Sequence, residues 1–119
     1  MNMHLRRDEN VLCDSAANLQ RGIESVGGRL YLTTHRLVFE APAFNVQSGT
    51  TAVPLGDIEG TWKCWTRFLG LIPFIPNSLA VRAVNGKTYR FILFGRDEWI
   101  RDIRRAQRER DEEDDEDDR

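Results

Sequence analysis

The segment Gly28-Arg-Leu-Tyr-Leu-Thr-Thr-His-Arg-Leu-Val-Phe-Glu40 constrains the fold more than any other, because its apolar residues tolerate a single strand pairing. Leu30 and Leu32 alternate with Tyr31 and Thr33, and Leu37 and Phe39 alternate with Val38. A two-residue turn at Thr34-His35 sets Leu32 opposite Leu37 and Leu30 opposite Phe39, all on one side of the ribbon. A slip of one residue would break that match. His35 suits the turn, since histidine tolerates left-handed backbone better than most residues. That reading is preferred to a catalytic or ligand role for His35.

The same logic identifies a second hairpin from Ser78 to Phe94, around Val84-Asn85-Gly86. A two-residue Asn-Gly turn would set Val81 against Arg90 and mix apolar with charged faces. A three-residue loop instead pairs Val81 with Tyr89 and Leu79 with Phe91. The expectation is therefore a type I turn with Gly86 left-handed in a bulge. Elsewhere Val11 to Leu19 is a weakly patterned strand, followed by a polar, glycine-bearing loop from Gln20 to Gly28. Ala41 to Thr50, with Pro42, Asn45 and Gly49, is a second loop. Thr51 to Leu55 and Ile58 to Trp65 are two more strands, joined at Gly56-Asp57; in the second, one of Trp62 and Trp65 is expected in the core and the other exposed.

At Arg96 the period changes. Trp99, Ile100, Ile103 and Ala106 recur at helical spacing, and Asp97 and Glu98 occupy a first turn where the helix dipole favours acids. Those four apolar side chains share one face, with Arg101, Arg104, Arg105 and Arg108 almost opposite. About seven short strands closed by one amphipathic helix imply a mainly β fold. The expected architecture is a split barrel of antiparallel strands in two packed sheets, its open end capped by the helix.

The chain has 119 residues, room for one core. It is 40% hydrophobic and 30% charged, which suits a folded globular domain. No segment approaches the roughly 20 apolar residues of a spanning helix, and no apolar run follows Arg6-Arg7 as a secretory signal requires. Cys13 and Cys64 are accordingly expected as reduced strand residues in a cytoplasmic protein, and neither they nor His4 and His35 have metal-ligand spacing. No cofactor is implied. The net charge of -2 is unevenly placed: residues 111–119 hold eight acids and one arginine, which leaves 16 basic and 11 acidic residues in 1–110, a formal +5. Residues 1–9 are expected as a flexible N-terminus, 10–108 as the folded domain, and 109–119 as a disordered acidic tail that repels itself.

Segments in order resemble the GRAM family, a member of the pleckstrin-homology superfamily. Gly28 to Phe39 is similar to that family's G-x-L-Y-L-T-x-x-R-L-V-F, and Val53-Pro54-Leu55-Gly56-Asp57-Ile58 to its I-P-L-x-D-I. Pro76-Asn77-Ser78-Leu79, Gly86-Lys87-Thr88-Tyr89-Arg90-Phe91, and Trp99 with Ile103 continue the match over residues 10 to 107. The resemblance implies a pleckstrin-homology-like fold and a binding role, commonly at phosphoinositides or other anionic lipids, or at protein partners. It transfers fold better than ligand.

Three places could carry binding. Between Thr66 and Asn77, Phe68, Leu69, Leu71, Ile72, Phe74 and Ile75 are interrupted by Gly70, Pro73 and Pro76. Two prolines there argue against a regular helix or a central strand. Either this apolar loop folds back over the core, or it enters a bilayer or a partner's groove with Lys63 and Arg67 beside it for lipid phosphates. The helix face of Arg101, Arg104, Arg105 and Arg108 is either solvated or meets anionic lipid or the acidic tail. Arg21, Arg29, Arg36 and Lys87 are a third, scattered basic set for a phosphate group. No phosphate-binding glycine loop, nucleophile elbow or His/Cys pairing supports an enzyme, and the acidic tail argues against nucleic acid. The expectation is a non-enzymatic module at the cytosolic membrane face binding anionic lipid. The alternative is a soluble interaction module using 66–77 as a partner or dimer interface.

Overall fold

In a computed structural model the described residues are 4–21, 24–41, 50–68 and 72–117, with side chains described for 4–20, 25–41, 50–64 and 78–113. Seven strands form in chain order: β1 (Val11–Arg21), β2 (Glu24–Thr33), β3 (Arg36–Glu40), β4 (Thr50–Pro54), β5 (Ile58–Phe68), β6 (Ile72–Ala83) and β7 (Thr88–Ile92). A 3₁₀ turn at Leu55–Asp57 joins β4 to β5, and the helix α1 (Arg96–Asp117) follows β7. All seven strands are antiparallel neighbours in the order β4-β3-β2-β1-β7-β6-β5. They make one continuous sheet, where two were expected. The sheet is strongly split but not broken, because β7 pairs with β1 at Asn18, Leu19 and Gln20.

Both hairpin registers take the expected form. Leu30 pairs with Phe39 and Leu32 with Leu37, and all four are fully buried. Leu79 pairs with Phe91 and Val81 with Tyr89, and Gly86 has φ +89°. The Gly86 N–H donates to Ala83 O and the Ala83 N–H to Lys87 O, which closes the bulged turn. The two halves of the sheet meet in the core, where the Phe39 and Phe91 rings lie 5.8 Å apart and tilted by 41°.

The strands reach further than their patterning shows. Gln20 to Gly28 was expected as a loop, yet β2 begins at Glu24 and pairs with β1 as far as Arg21. Gly28 is needed there for close approach. A Cβ at this position would collide with the Glu40 carbonyl and come within 2.7 Å of Phe39 Cζ, so only glycine lets β3 lie against β2. Thr51 to Leu55 and Ile58 to Trp65 become β4 and the first part of β5. Trp62 is exposed, and the side chain of Trp65 lies outside those described.

From His4 the N-terminal segment is hydrogen-bonded to the β2–β3 hairpin. Glu9 is buried before β1, and its carboxylate accepts from Thr33 Oγ1 (2.6 Å), Arg36 Nε (2.8 Å) and Nη2 (3.1 Å), and the Arg6 N–H (2.9 Å). Arg36 also donates to His4 O, and the Thr34 N–H to Asn10 O. Burial alone would raise the Glu9 carboxyl; these donors outweigh it and hold the group at about 2. His35 sits in the β2–β3 turn, buried, with Nε2 3.3 Å from Asp8 Oδ1.

α1 buries Trp99, Ile103 and Ala106 against the core, with Ile100 half-buried. It packs on the 3₁₀ turn, β5 and β6. Its outer side chains also seal the free side of β5. Gln107 Nε2 donates to Leu55 O and Ile58 O, Arg104 Nη2 to Thr61 O, and Arg96 Nη1 to Cys64 O. The helix runs on to Asp117. Arginines one turn before the acids oppose the self-repulsion of the run, as Arg110 does with Glu113 at 3.5 Å.

Candidate functional site

The site is built by a difference in strand length. β7 ends at Ile92, which pairs with Asn18 of β1 on one side and Ser78 of β6 on the other. Beyond that point β1 and β6 lose their shared neighbour. Among the described residues β6 then pairs only with β5, through Thr66↔Ile75 and Phe68↔Ile72, as a two-stranded ribbon running past the sheet. The two prolines do not exclude a strand here, because Pro73 and Pro76 both precede the β6–β7 ladder and break no bond in it. This corrects the expectation of an irregular loop for the described part, up to Phe68 and from Ile72. Leu69 and Leu71 lie outside the described residues, and the side chains of Arg67, Phe68, Ile72, Phe74 and Ile75 outside those described.

The base of the ribbon is electropositive. Lys63 is half-exposed and lies 3.2 Å from Asp97 in the first turn of α1. Arg96 reaches across to Cys64 O. Burial pushes the Cys64 thiol up, while Arg90 and Arg96, both facing it, pull the other way. Lys63 was expected at this place; Arg90 and Arg96 were not. Arg90 lies in another strand and Arg96 opens the helix, so only the β6–β7 register and the start of α1 bring them beside β5.

Arg101, Arg104, Arg105 and Arg108 are all exposed on α1. Arg104 is spent on Thr61 O, and Arg101 lies 3.8 Å from Asp102. Arg105 lines a groove with Asp102 and Glu109, and Arg108 is exposed. Among the described side chains the third basic set is not gathered. Arg29 is bound to Asp14 at 2.6 Å, and Arg36 holds Glu9 at the opposite end of β2 and β3. Of the described side chains in the set, Lys87 lines an open cleft of about 550 Å³ with Gln20, Thr50, Thr51 and Thr88; the side chain of Arg21 is not among those described.

Among the described residues no group of His, Cys, Asp and Glu could hold a metal ion. Burial, aided by Asp102 and Asp14, raises the Cys13 thiol to about 11, which leaves it a poor nucleophile. No described helix is long and apolar enough to cross a membrane.

The GRAM domain model matches residues 1–110. No curated protein sequence matches. Among solved structures, the C-terminal domain of an unknown protein from Leishmania infantum is similar at TM-score 0.66 and 16% identity, over 83% of this chain and 84% of that one. The Vps36 N-terminal PH domain is similar at TM-score 0.58 and 14% identity, over 89% and 84%. At these identities the likeness is one of fold.

Proposed function

The chain belongs to the GRAM family, with a pleckstrin-homology-like fold, and from that premise we propose that it is a non-enzymatic module that docks on anionic membranes through the β5–β6 ribbon. The observation that carries this reading is the pairing of Thr66 with Ile75 and Phe68 with Ile72 beyond the end of β7. A two-stranded ribbon has no third strand to share its burden, and such ribbons are marginal in water without a surface to pack against. This one carries Phe68, Ile72, Phe74 and Ile75. Burying one such side chain fully contributes about 1.5–3 kcal/mol, so two or three in a bilayer give weak, reversible attachment.

Charge at the base supports the same orientation. Lys63, Arg90 and Arg96 stand where lipid phosphates would lie if the tip entered the acyl boundary, and each basic residue near an anionic surface contributes about 1 kcal/mol. Lys63 shares its charge with Asp97, so Arg90 and Arg96 carry more of this attraction. The protein would then work peripherally, at the cytosolic face.

Cosedimentation with neutral and with phosphatidylserine-containing vesicles tests this, beside Phe68→Ser/Ile72→Ser. Wild-type protein should pellet with the anionic vesicles only, less as salt rises, and the double variant should remain in solution. Equal pelleting of the two proteins would overturn the ribbon's role, and no pelleting of either would overturn the membrane reading.

A further inference from the structure

Among the described residues several strand sides have no strand neighbour, and three of them carry a device against pairing. β4 is short and ends at Pro54. β5 has its carbonyls bound by Arg96, Arg104 and Gln107. The free part of β6 contains Pro73 and Pro76, which have no N–H to offer. Another is β1 before Asn18: β7 leaves it there, and among the described residues no strand pairs its second side from Val11 to Ala17. That stretch contains no proline and no lysine.

A groove lies beside its first part, at Leu12 to Asp14. Between β1 and α1 lie two adjoining hollows of about 310 and 280 Å³, both lined by Cys13 and Asp102. A bulge between Val11 and Cys13 accompanies an exposed Leu12, and Phe94 stands 91% exposed at the other end of the groove. Ser15 Oγ, the next residue along β1, is buried with no hydrogen-bond partner. The helix side of the groove carries Glu98, Asp102 and Glu109 against Arg105, with Arg101 3.8 Å from Asp102; Asp14 on β1 is already bound by Arg29.

We propose that this groove binds an extended, basic peptide segment of another protein, added as a strand to β1 over Cys13 to Ala17. The ladder bonds would come from the β1 backbone, Leu12 and Phe94 would cover apolar side chains, and Glu98, Asp102 and Glu109 would meet the bases. A second copy of this chain is a poor occupant, since pairing two such grooves would bring their carboxylates together. The surface is distinct from the β5–β6 ribbon and does not depend on it.

The probe is a labelled octapeptide of alternating lysine and valine, measured by anisotropy and by amide shifts and hydrogen exchange on the full chain. Two controls share its length: a glutamate–valine octapeptide, and the lysine–valine peptide N-methylated at alternate residues, which keeps the charge and removes ladder donors. The expected result is saturable binding of the unmodified basic peptide, with protection of amides from Cys13 to Ala17. Glu98→Lys/Asp102→Lys, one exposed and one half-buried, should weaken it about tenfold or more, the scale of like-charge opposition at an interface. Equal binding of the N-methylated peptide, shifts confined to residues 111–117, or indifference to the double variant would each overturn the proposal. So would a concentration-dependent dimer that protects the same β1 amides without peptide.

Discussion

β5 and β1 both turn an unpaired side towards α1, and the helix treats them differently. Against β5 it sends Arg96, Arg104 and Gln107 to the strand's own carbonyls, and beneath them Trp99 and Ile103 fill the core. Against β1 it leaves a groove and presents carboxylates. An unpaired strand side is a standing invitation to another chain. Here one helix closes that invitation on one strand and shapes it on the other, so the same element serves solubility and, on the proposed reading, recognition.

The comparison breaks most visibly if the helix is loosened. Ile103 is fully buried, and Ile103→Ala should cost roughly 2–5 kcal/mol of unfolding free energy by denaturant titration. Hydrogen exchange should rise first along β5, whose seal depends on the helix being seated, and hardly at all from Val11 to Ala17. Equal loosening of both strands would show that the helix holds the whole sheet rather than one side of it.

Glu9 tests the β1 side. It ties the chain just ahead of β1 to Thr33 and Arg36, and Glu9→Ala should cost about 3 kcal/mol, because Arg36 loses its partner. The effect depends on pH in a set direction. The carboxyl titrates at about 2 in the folded protein against an ordinary 4.5. A depressed value means that the folded state holds fewer protons than the unfolded one. The stabilisation is complete above about pH 4.5 and is lost as pH falls towards 2. Wild-type stability should fall across that window more steeply than that of Glu9→Gln, as measured by urea titration at each pH; parallel slopes would refute the role of Glu9.

The smallest effect sharpens the comparison. Arg104→Ala/Gln107→Ala removes donors to Thr61 O, Leu55 O and Ile58 O, at about 1 kcal/mol per net hydrogen bond. Stability should drop little, yet self-association at high concentration should rise as the β5 side opens. Light scattering unchanged from wild type would mean that these bonds are incidental.

How much of this was legible follows from where each signal resides. Leu30, Leu32, Leu37 and Phe39 fix a register because they are close in sequence and only one pairing shares a face. Trp99, Ile103 and Ala106 declare a helix by their spacing alone. Gly27 and Gly28 read as loop, since the reason for Gly28 is a carbonyl on β3 that no local pattern reveals. The prolines at 73 and 76 misled for the same reason: their cost depends on a neighbouring strand, and β7 stops short of them. Glu9 gave no signal, because a carboxylate near a terminus is ordinarily solvated and its partners lie 24 and 27 positions away. The candidate ribbon was legible as an apolar run, its electropositive base only in part, and the groove beside β1 not at all.

Hydrogen exchange of the full chain with and without phosphatidylserine vesicles tests the central claim most directly. The account predicts added protection between residues 66 and 75, with the cleft around Lys87 and the β1 stretch unchanged. Protection centred on Lys87, Thr88 and Thr50 instead, with the ribbon exchanging as it does in solution, would contradict it.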